Sequence, residues 1–462
     1  MKGFEARGHW HLPAKPDRKV VGTLRFGEED GINLSLTGSF SDFSSLAQPT
    51  TYPLIHGVVM EGPYGKGVTL VDCYQARQTI GTPEMVTEEI RANKAYVCGR
   101  LLDEGDLRFD AFRVSLDGLR DWLGISGITV NPCKDDDGPR RLSLDYVQPS
   151  SVEAAIRGKP LQIGFGYSLS HVRSGFSLEE KVSIRVEDIA GLCEEEVDRA
   201  FLHPLLRFFA LATDGPNVID EYVLFKEDYR EHDSEYHAPI YVVRQPVYVP
   251  KERPRRRFPH EMLFTYQDVK DSFPDLLNRW FDFSERFSAL CDVHFASLYR
   301  PGGYVEDRFL TPVRALIFYF EESGAANERV REFRQRALAE LQTKLHFTED
   351  VWLSQSMASE AEITFPADLF RALEEHKDLM TPLVGDDLKA FVGAVLAKMN
   401  TIYRRDGNAG WDPLEGADLY WTTEKLSVLL KACILEEIGI PRDEAHRFLR
   451  RNKNYRQLKA TG

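Results

Sequence analysis

The sequence predicts an α+β multidomain protein, with an N-terminal β-sandwich or barrel-like domain followed by a C-terminal all-α helical bundle. Three observations carry that expectation. Short runs of β-branched or alternating apolar residues, bounded by Gly, Asp, Asn or Pro, fill the chain to Val249. Apolar residues at helical intervals fill the last part. Between them stands PKERPRRRFPH, in which Pro250, Pro254 and Pro259 interrupt helix and sheet alike. The expected division is residues 1–250 as the β-rich domain, 251–304 as linker and helical connector, and 305–462 as the helical domain.

Taken in order, VVGTLRF, INLSLTGSF, LIHGVVMEG, KGVTLVDC, KAYVCGRLL and LSLDYV read as short strands. LQIGFGYSLSH, EEKVSIRVED and APIYVVRQPVYV continue them, and EEEVDRAFLHPLLRFFALA is a helical insert. His9 and His11 flank Trp10 at strand spacing, so the two imidazoles are expected on one face and the indole in the core on the other. Lys251, Arg253, Arg255, Arg256 and Arg257 make the linker basic; it reads as a solvated connector rather than a phosphate site. Beyond it, DLLNRWFDFSERFSAL, DRFLTPVRALIFYFEE and the charged NERVREFRQRALAELQTKLH read as helices. In DDLKAFVGAVLAKMNTIY, Leu388, Phe391, Val395, Met399 and Ile402 mark one apolar face. The helix of ADLYWTTEKLSVLLKACILEEIGIP has Asp418 as N-cap candidate and is stopped by Gly439 and Pro441.

Bulk properties narrow the function. A net charge of −14 repels nucleic acid overall, so any RNA or DNA contact needs a local basic surface. Six cysteines, Cys73, Cys98, Cys133, Cys193, Cys291 and Cys433, are scattered without the close pairs that zinc ribbons or disulfide frameworks require. Reduced thiols follow, and no metal or other cofactor is expected. MKGFEARGHWHLP lacks the apolar core of a signal peptide, and no apolar run is long enough to span a bilayer. A cytoplasmic location without a membrane partner is the expectation. GPYGKGVT fails as a phosphate-binding loop because Gly67 follows Lys66, and CKDDDGPRR lacks the alternating ligands of a calcium loop.

The segments GHWHLP, GTLRF, LSLTGSF and IHGVVMEGPYGKGVTLVDC, then DRFLTPVRAL and GADLYWTTEKLSVLLKACILEEIGI, together resemble the ApeA-type anti-phage defence proteins. In those a β-rich N-terminal domain precedes an Apea-like HEPN domain. The resemblance implies a HEPN helical bundle that dimerises and cuts RNA, tRNA among the candidate targets, without metal. It implies an abortive-infection role, with the N-terminal domain sensing a phage-derived trigger. The HEPN signature is an Arg followed a few residues later by a His. Metal-free cleavage uses the ribose 2′-hydroxyl as nucleophile, a near-neutral His to move the proton and an Arg to hold the phosphate.

The matching stretch here is YRRDGNAGWDP, Tyr403 to Pro413. Arg404 and Arg405 are the motif arginines and Asp406 the polar neighbour. The His position falls on Gly410, or on Ala409 when the count starts from Arg404, and neither can relay a proton. A replaced His, a relative that binds without cutting, or another His in the role all remain open. Two other pairs have a similar spacing. Arg371 and His376 in RALEEH read as an exposed helix face, and Arg442 and His446 in RDEAH as a surface pair. Relatives carry a Glu near Ile317, a role that here falls to Glu321 or Glu322 if it is filled. The C-terminal tail is basic, and Arg450, Arg451, Lys453 and Arg456 are the candidate RNA contacts, with Phe448 and Tyr455 as candidate stacking partners.

Overall fold

The computed structural model describes residues 3–40, 50–60, 66–80, 86–133, 141–172, 175–189, 191–230, 237–246, 256–300, 302–323, 360–403 and 414–461. The chain divides into two compact units. Met1–Leu206 with Asn217–Arg256 form one, and Arg207–Pro216 with Arg257–Gly462 form the other.

The first unit is built on antiparallel strands. β1 (Phe4–His11), β2 (Val20–Gly27), β3 (Gly31–Thr37), β4 (Thr51–Val59), β5 (Gly67–Ile80) and β6 (Val86–Cys98) run in the order β6-β3-β2-β1-β4-β5, and β5 pairs back onto β6. The sheet therefore closes into a six-stranded barrel, which leaves those strands no open edge. Alternation in β2, with Val20, Gly22, Leu24 and Phe26 inward, is what the period-2 pattern of VVGTLRF demands. Trp10 is fully buried and packs with Leu24, Leu36, Ile55, Leu70 and Ile90. Its indole lies so close to β4 that position 57 admits only glycine: a Cβ there would stand 2.2 Å from the Trp10 ring. His9 is exposed while His11 is buried against His56, with ring centroids 5.5 Å apart, so the two imidazoles, expected on one face, do not share an environment.

A fully buried acid sits in β6 of the barrel. Glu88 is fully buried and accepts hydrogen bonds from Tyr52 Oη (2.9 Å), Ser39 Oγ (2.9 Å) and the Phe40 amide (3.0 Å). Three donors compensate the desolvation that would otherwise expel a carboxylate from such a place. From β6 the sheet continues through β14 (Ile240–Arg244), β13 (Ile219–Phe225), β7 (Ala111–Leu116), β12 (Gly175–Val186), β11 (Lys159–Val172) and β10 (Val152–Ile156). β8 (Ile128–Cys133) and β9 (Arg141–Tyr146) form a separate hairpin. Short helix α1 (Leu119–Leu123) follows β7, and the expected helical insert is α2 (Glu194–Val197), a π-turn and α3 (His203–Ala212). Glu194 anchors this insert, accepting from Tyr96 Oη at 2.5 Å and from Arg244 at 3.0 Å.

The second unit is helical: α4 (Tyr266–Val269), α5 (Phe273–Arg286), α6 (Ser288–Tyr299), α7 (Val305–Glu322), α8 (Glu360–Glu375), α9 (Lys377–Val384), α10 (Leu388–Tyr403), α11 (Gly416–Glu437), α12 (Arg442–Arg451) and α13 (Lys453–Thr461). DLLNRWFDFSERFSAL is not one helix; it breaks at Phe287, whose ring is buried against Phe283 and Tyr319. Trp280 is buried among Phe208, Phe283 and Phe295, with ring centroids 5.4–6.0 Å apart. α7 packs against α6, α8 and α11. α11 starts three residues earlier than expected: Glu415 is its N-cap residue, so Asp418 lies in the first turn, and it ends at Gly439 with φ +86°. The apolar face of α10 buries Leu388, Val392 and Val395, while Phe391, Met399 and Ile402 are half-buried.

Cys73, Cys98, Cys193, Cys291 and Cys433 are free thiols. Among the described residues no helix is long and apolar enough to cross a membrane. The charged segment NERVREFRQRALAELQTKLH lies outside the described residues.

Candidate functional site in the helical unit

The arginine-bearing stretch is bracketed by two long helices. α10 ends at Tyr403, which is half exposed, and α11 begins at Gly416, whose φ of +52° suits a residue without a side chain. Arg404, Arg405, Asp406, Ala409 and Gly410 themselves lie outside the described residues. Ile317, near which the resemblance implies a Glu, is buried in α7, while Glu321 and Glu322 are exposed at that helix's end.

The basic tail is described in full. α12 is amphipathic: Ala445, Phe448 and Leu449 face inward, while Asp443 and Glu444 open its first turn and Arg450 and Arg451 close its last, complementing the helix dipole. Arg451 grips Asp268 with two guanidinium nitrogens, at 2.8 and 2.5 Å. Asp268 also accepts from the amide and hydroxyl of Thr265, the capping residue of α4, at 2.8 and 2.9 Å. Burial works against the ionised Asp268, yet Arg451 and the Thr265 donors outweigh it and hold the carboxyl below its ordinary range. Arg450 donates to the Asp378 carbonyl (2.8 Å) and Arg456 to the Arg451 carbonyl (2.6 Å), and Lys453 pairs with Glu261 at 3.5 Å. Asn452 and Asn454 both donate to Asp214. Phe448 and Tyr455 are buried, with Tyr455 Oη donating to the Leu379 carbonyl, so neither ring is placed to stack on a base. Of the four basic residues, Arg450, Lys453 and Arg456 are exposed and Arg451 is half-buried.

Both alternative histidines sit in the interior. His376 is not on an exposed face, nor is His446 part of a surface pair; the two rings meet. The sequence carried a signal for this: Leu373 precedes His376 by three residues and Leu449 follows His446 by three, so each imidazole falls beside an apolar residue on its helix face. The partners Asp268, Asp214 and Glu436 had no such mark.

A closed antiparallel barrel with an extended sheet, followed by a helical unit, defines the class: a two-unit α+β protein. The model of the family ApeA N-terminal domain 1 matches residues 5–280, and the chain belongs to that family. Membership supports a place in anti-phage defence. The match ends within α5, so the later helices are not covered by it. No curated protein and no solved structure matches the chain.

Proposed function

We propose that this protein is an anti-phage defence effector whose helical unit engages RNA as a HEPN-type, metal-independent ribonuclease bundle. The observation that carries the reading is the position of the arginine pair. In a chain of the ApeA family, Arg404 and Arg405 stand in the sequence between α10 and α11, which supports a motif carried by an interhelical segment, as the resemblance to HEPN domains implies. Their guanidinium forks would hold the scissile phosphate and Asp406 would orient them, with Lys453 and Arg456 extending the basic surface along the RNA. Pairing of two copies through the bundle would bring two such loops into one cleft. The barrel unit would sense the phage-derived trigger.

The absence of His at 409 and 410 favours a second reading for the chain as it stands: the loop binds RNA, or a protein partner, without turnover. One experiment separates the two. Ala409→His and Gly410→His variants are incubated with RNA without added divalent ions, beside the parent chain and an Arg405→Ala variant. Cleavage by either His variant, abolished when Arg405→Ala is added, supports the nuclease reading. RNA retarded in a gel by every chain except Arg405→Ala, with no cleavage, supports binding alone. If RNA is neither cut nor retarded, both fail.

A further inference from the structure

Three helices of the second unit bring two imidazoles and a carboxylate to one point. His376 lies at the joint between α8 and α9. Its amide donates to the Ala372 carbonyl at 3.0 Å, and its carbonyl accepts from the Leu379 and Met380 amides at 2.9 Å, so the backbone fixes where its ring starts. His446 projects from α12 and Glu436 from the last turn of α11. His376 Nδ1 stands 3.0 Å from His446 Nε2 and 3.5 Å from Glu436 Oε1, and all three atoms lie within 4.8 Å of one another. The two histidines are 2% and 6% exposed.

The tautomers follow from the neighbours. On the far side of its ring, His376 Nε2 is 3.9 Å from Cys433 Sγ, a soft acceptor for an N–H. With the proton on Nε2, Nδ1 offers a lone pair to the shared point. A neutral His446 with its proton on Nδ1 offers a second, and Glu436 offers a third. Ligand atoms about 2.1 Å from a tetrahedral zinc ion stand about 3.4 Å apart, and 3.0 and 3.5 Å bracket that separation.

The surroundings suit a cation as well. Arg442 holds both Glu436 oxygens, Nε to Oε1 at 2.7 Å and Nη2 to Oε2 at 2.9 Å, and so orients the carboxylate as an outer partner does in a metal centre. Two carboxylates, Glu436 and Asp378, and two guanidiniums, Arg442 and Arg450, act on these histidines.

The geometry points to a divalent transition-metal site of the zinc class, with His376 Nδ1, His446 Nε2 and Glu436 Oε1 as ligands, tying α11 and α12 to the α8–α9 joint. Two imidazoles select against magnesium and calcium, which take oxygen donors. Three protein ligands leave a fourth position for water or an added ligand. The competing arrangement is an N–H···N hydrogen bond between the rings with no ion.

The test uses the full chain, stripped with a chelator and desalted. It is titrated with Zn²⁺ by calorimetry and with Co²⁺ by visible absorption. Uptake of one Zn²⁺ per chain and the intense absorption of four-coordinate Co²⁺ are expected, with affinity falling by more than about tenfold in His446→Gln and in Glu436→Gln. Circular dichroism checks that each variant keeps its helices; the partly exposed Glu436→Gln serves if His446→Gln does not fold. No stoichiometric Zn²⁺ uptake by the parent chain, a six-coordinate Co²⁺ spectrum, or unchanged uptake in a folded variant would overturn the site. No RNA enters the measurement, so its outcome is separate from that of the ribonuclease reading.

Discussion

His376 and His446 stand seventy residues apart in the chain and face each other, ring nitrogen to ring nitrogen, at 3.0 Å. Each is half of an Arg-to-His spacing in the sequence, and the fold gives each Arg other work. Arg371 pairs with Asp368 at 3.0 Å, and Arg442 clamps Glu436. Two spacings that imitate a catalytic motif thus resolve into one buried cluster.

The basic tail divides into Arg451, half-buried on Asp268, and more exposed residues such as Arg456 that a polyanion can reach. Arg451→Ala is expected to destabilise the helical unit by about 1–3 kcal/mol, because it leaves Asp268 without its charged partner. Arg451→Lys recovers only part of that, since an ammonium cannot supply the two-pronged contact. Arg456→Ala, at an exposed position, stays within about 0.5 kcal/mol of the parent in urea unfolding. If the tail binds RNA, the same change lowers affinity and flattens the logarithmic salt slope by about 0.7 for a single strand. An unchanged slope would remove Arg456 from the RNA surface.

Stability should fall on acidification through His294. Burial, reinforced by the Lys431 ammonium and opposed by Asp214, pushes its pKa down to about 4 from an ordinary 6.5. Between those values the unfolded imidazole takes a proton that the folded one refuses. Its contribution is therefore complete above pH 6.5 and is lost as pH falls through 4, up to roughly 3 kcal/mol. Chemical unfolding from pH 7 to pH 4 should show a shallower decline in His294→Gln than in the parent. Parallel curves would show that His294 does not titrate as its burial demands.

Gly57→Ala tests the closure of the barrel. The new methyl would lie 2.2 and 2.3 Å from two atoms of the Trp10 ring, so either the indole or β4 must shift. A loss of roughly 1–3 kcal/mol is expected, with a red shift of tryptophan emission as the indole leaves its apolar site. Gly166→Ala in β11 is the control: no atom lies within 4 Å of its added Cβ, and stability should hold or rise slightly.

Much of the architecture was legible from periodicity. VVGTLRF alternates because one face of β2 looks into the barrel, and the prolines of PKERPRRRFPH mark the change of period because they suit neither regular structure. The break at Phe287 was not legible, since DLLNRWFDFSERFSAL keeps its apolar spacing across it and the ring's burial against Phe283 and Tyr319 is a tertiary event. Arg451 looked like a solvent-facing cation for a related reason. Composition counts its charge, but nothing local reveals that Asp268 waits 183 residues earlier in the chain.

Local sequence determined the division into a strand-rich part and a helical part, the core place of Trp10, the stop of α11 at Gly439 and the arginine pair between two helices. Those follow from backbone preferences and side-chain spacing, which act over a few residues. Tertiary structure alone decided that β5 returns to β6, that Glu88 is sheltered by three donors, and that His376, His446 and Glu436 converge. Closure, desolvation and ligand geometry depend on which distant surfaces meet, and the distance between two side chains in space is not written in their separation along the chain.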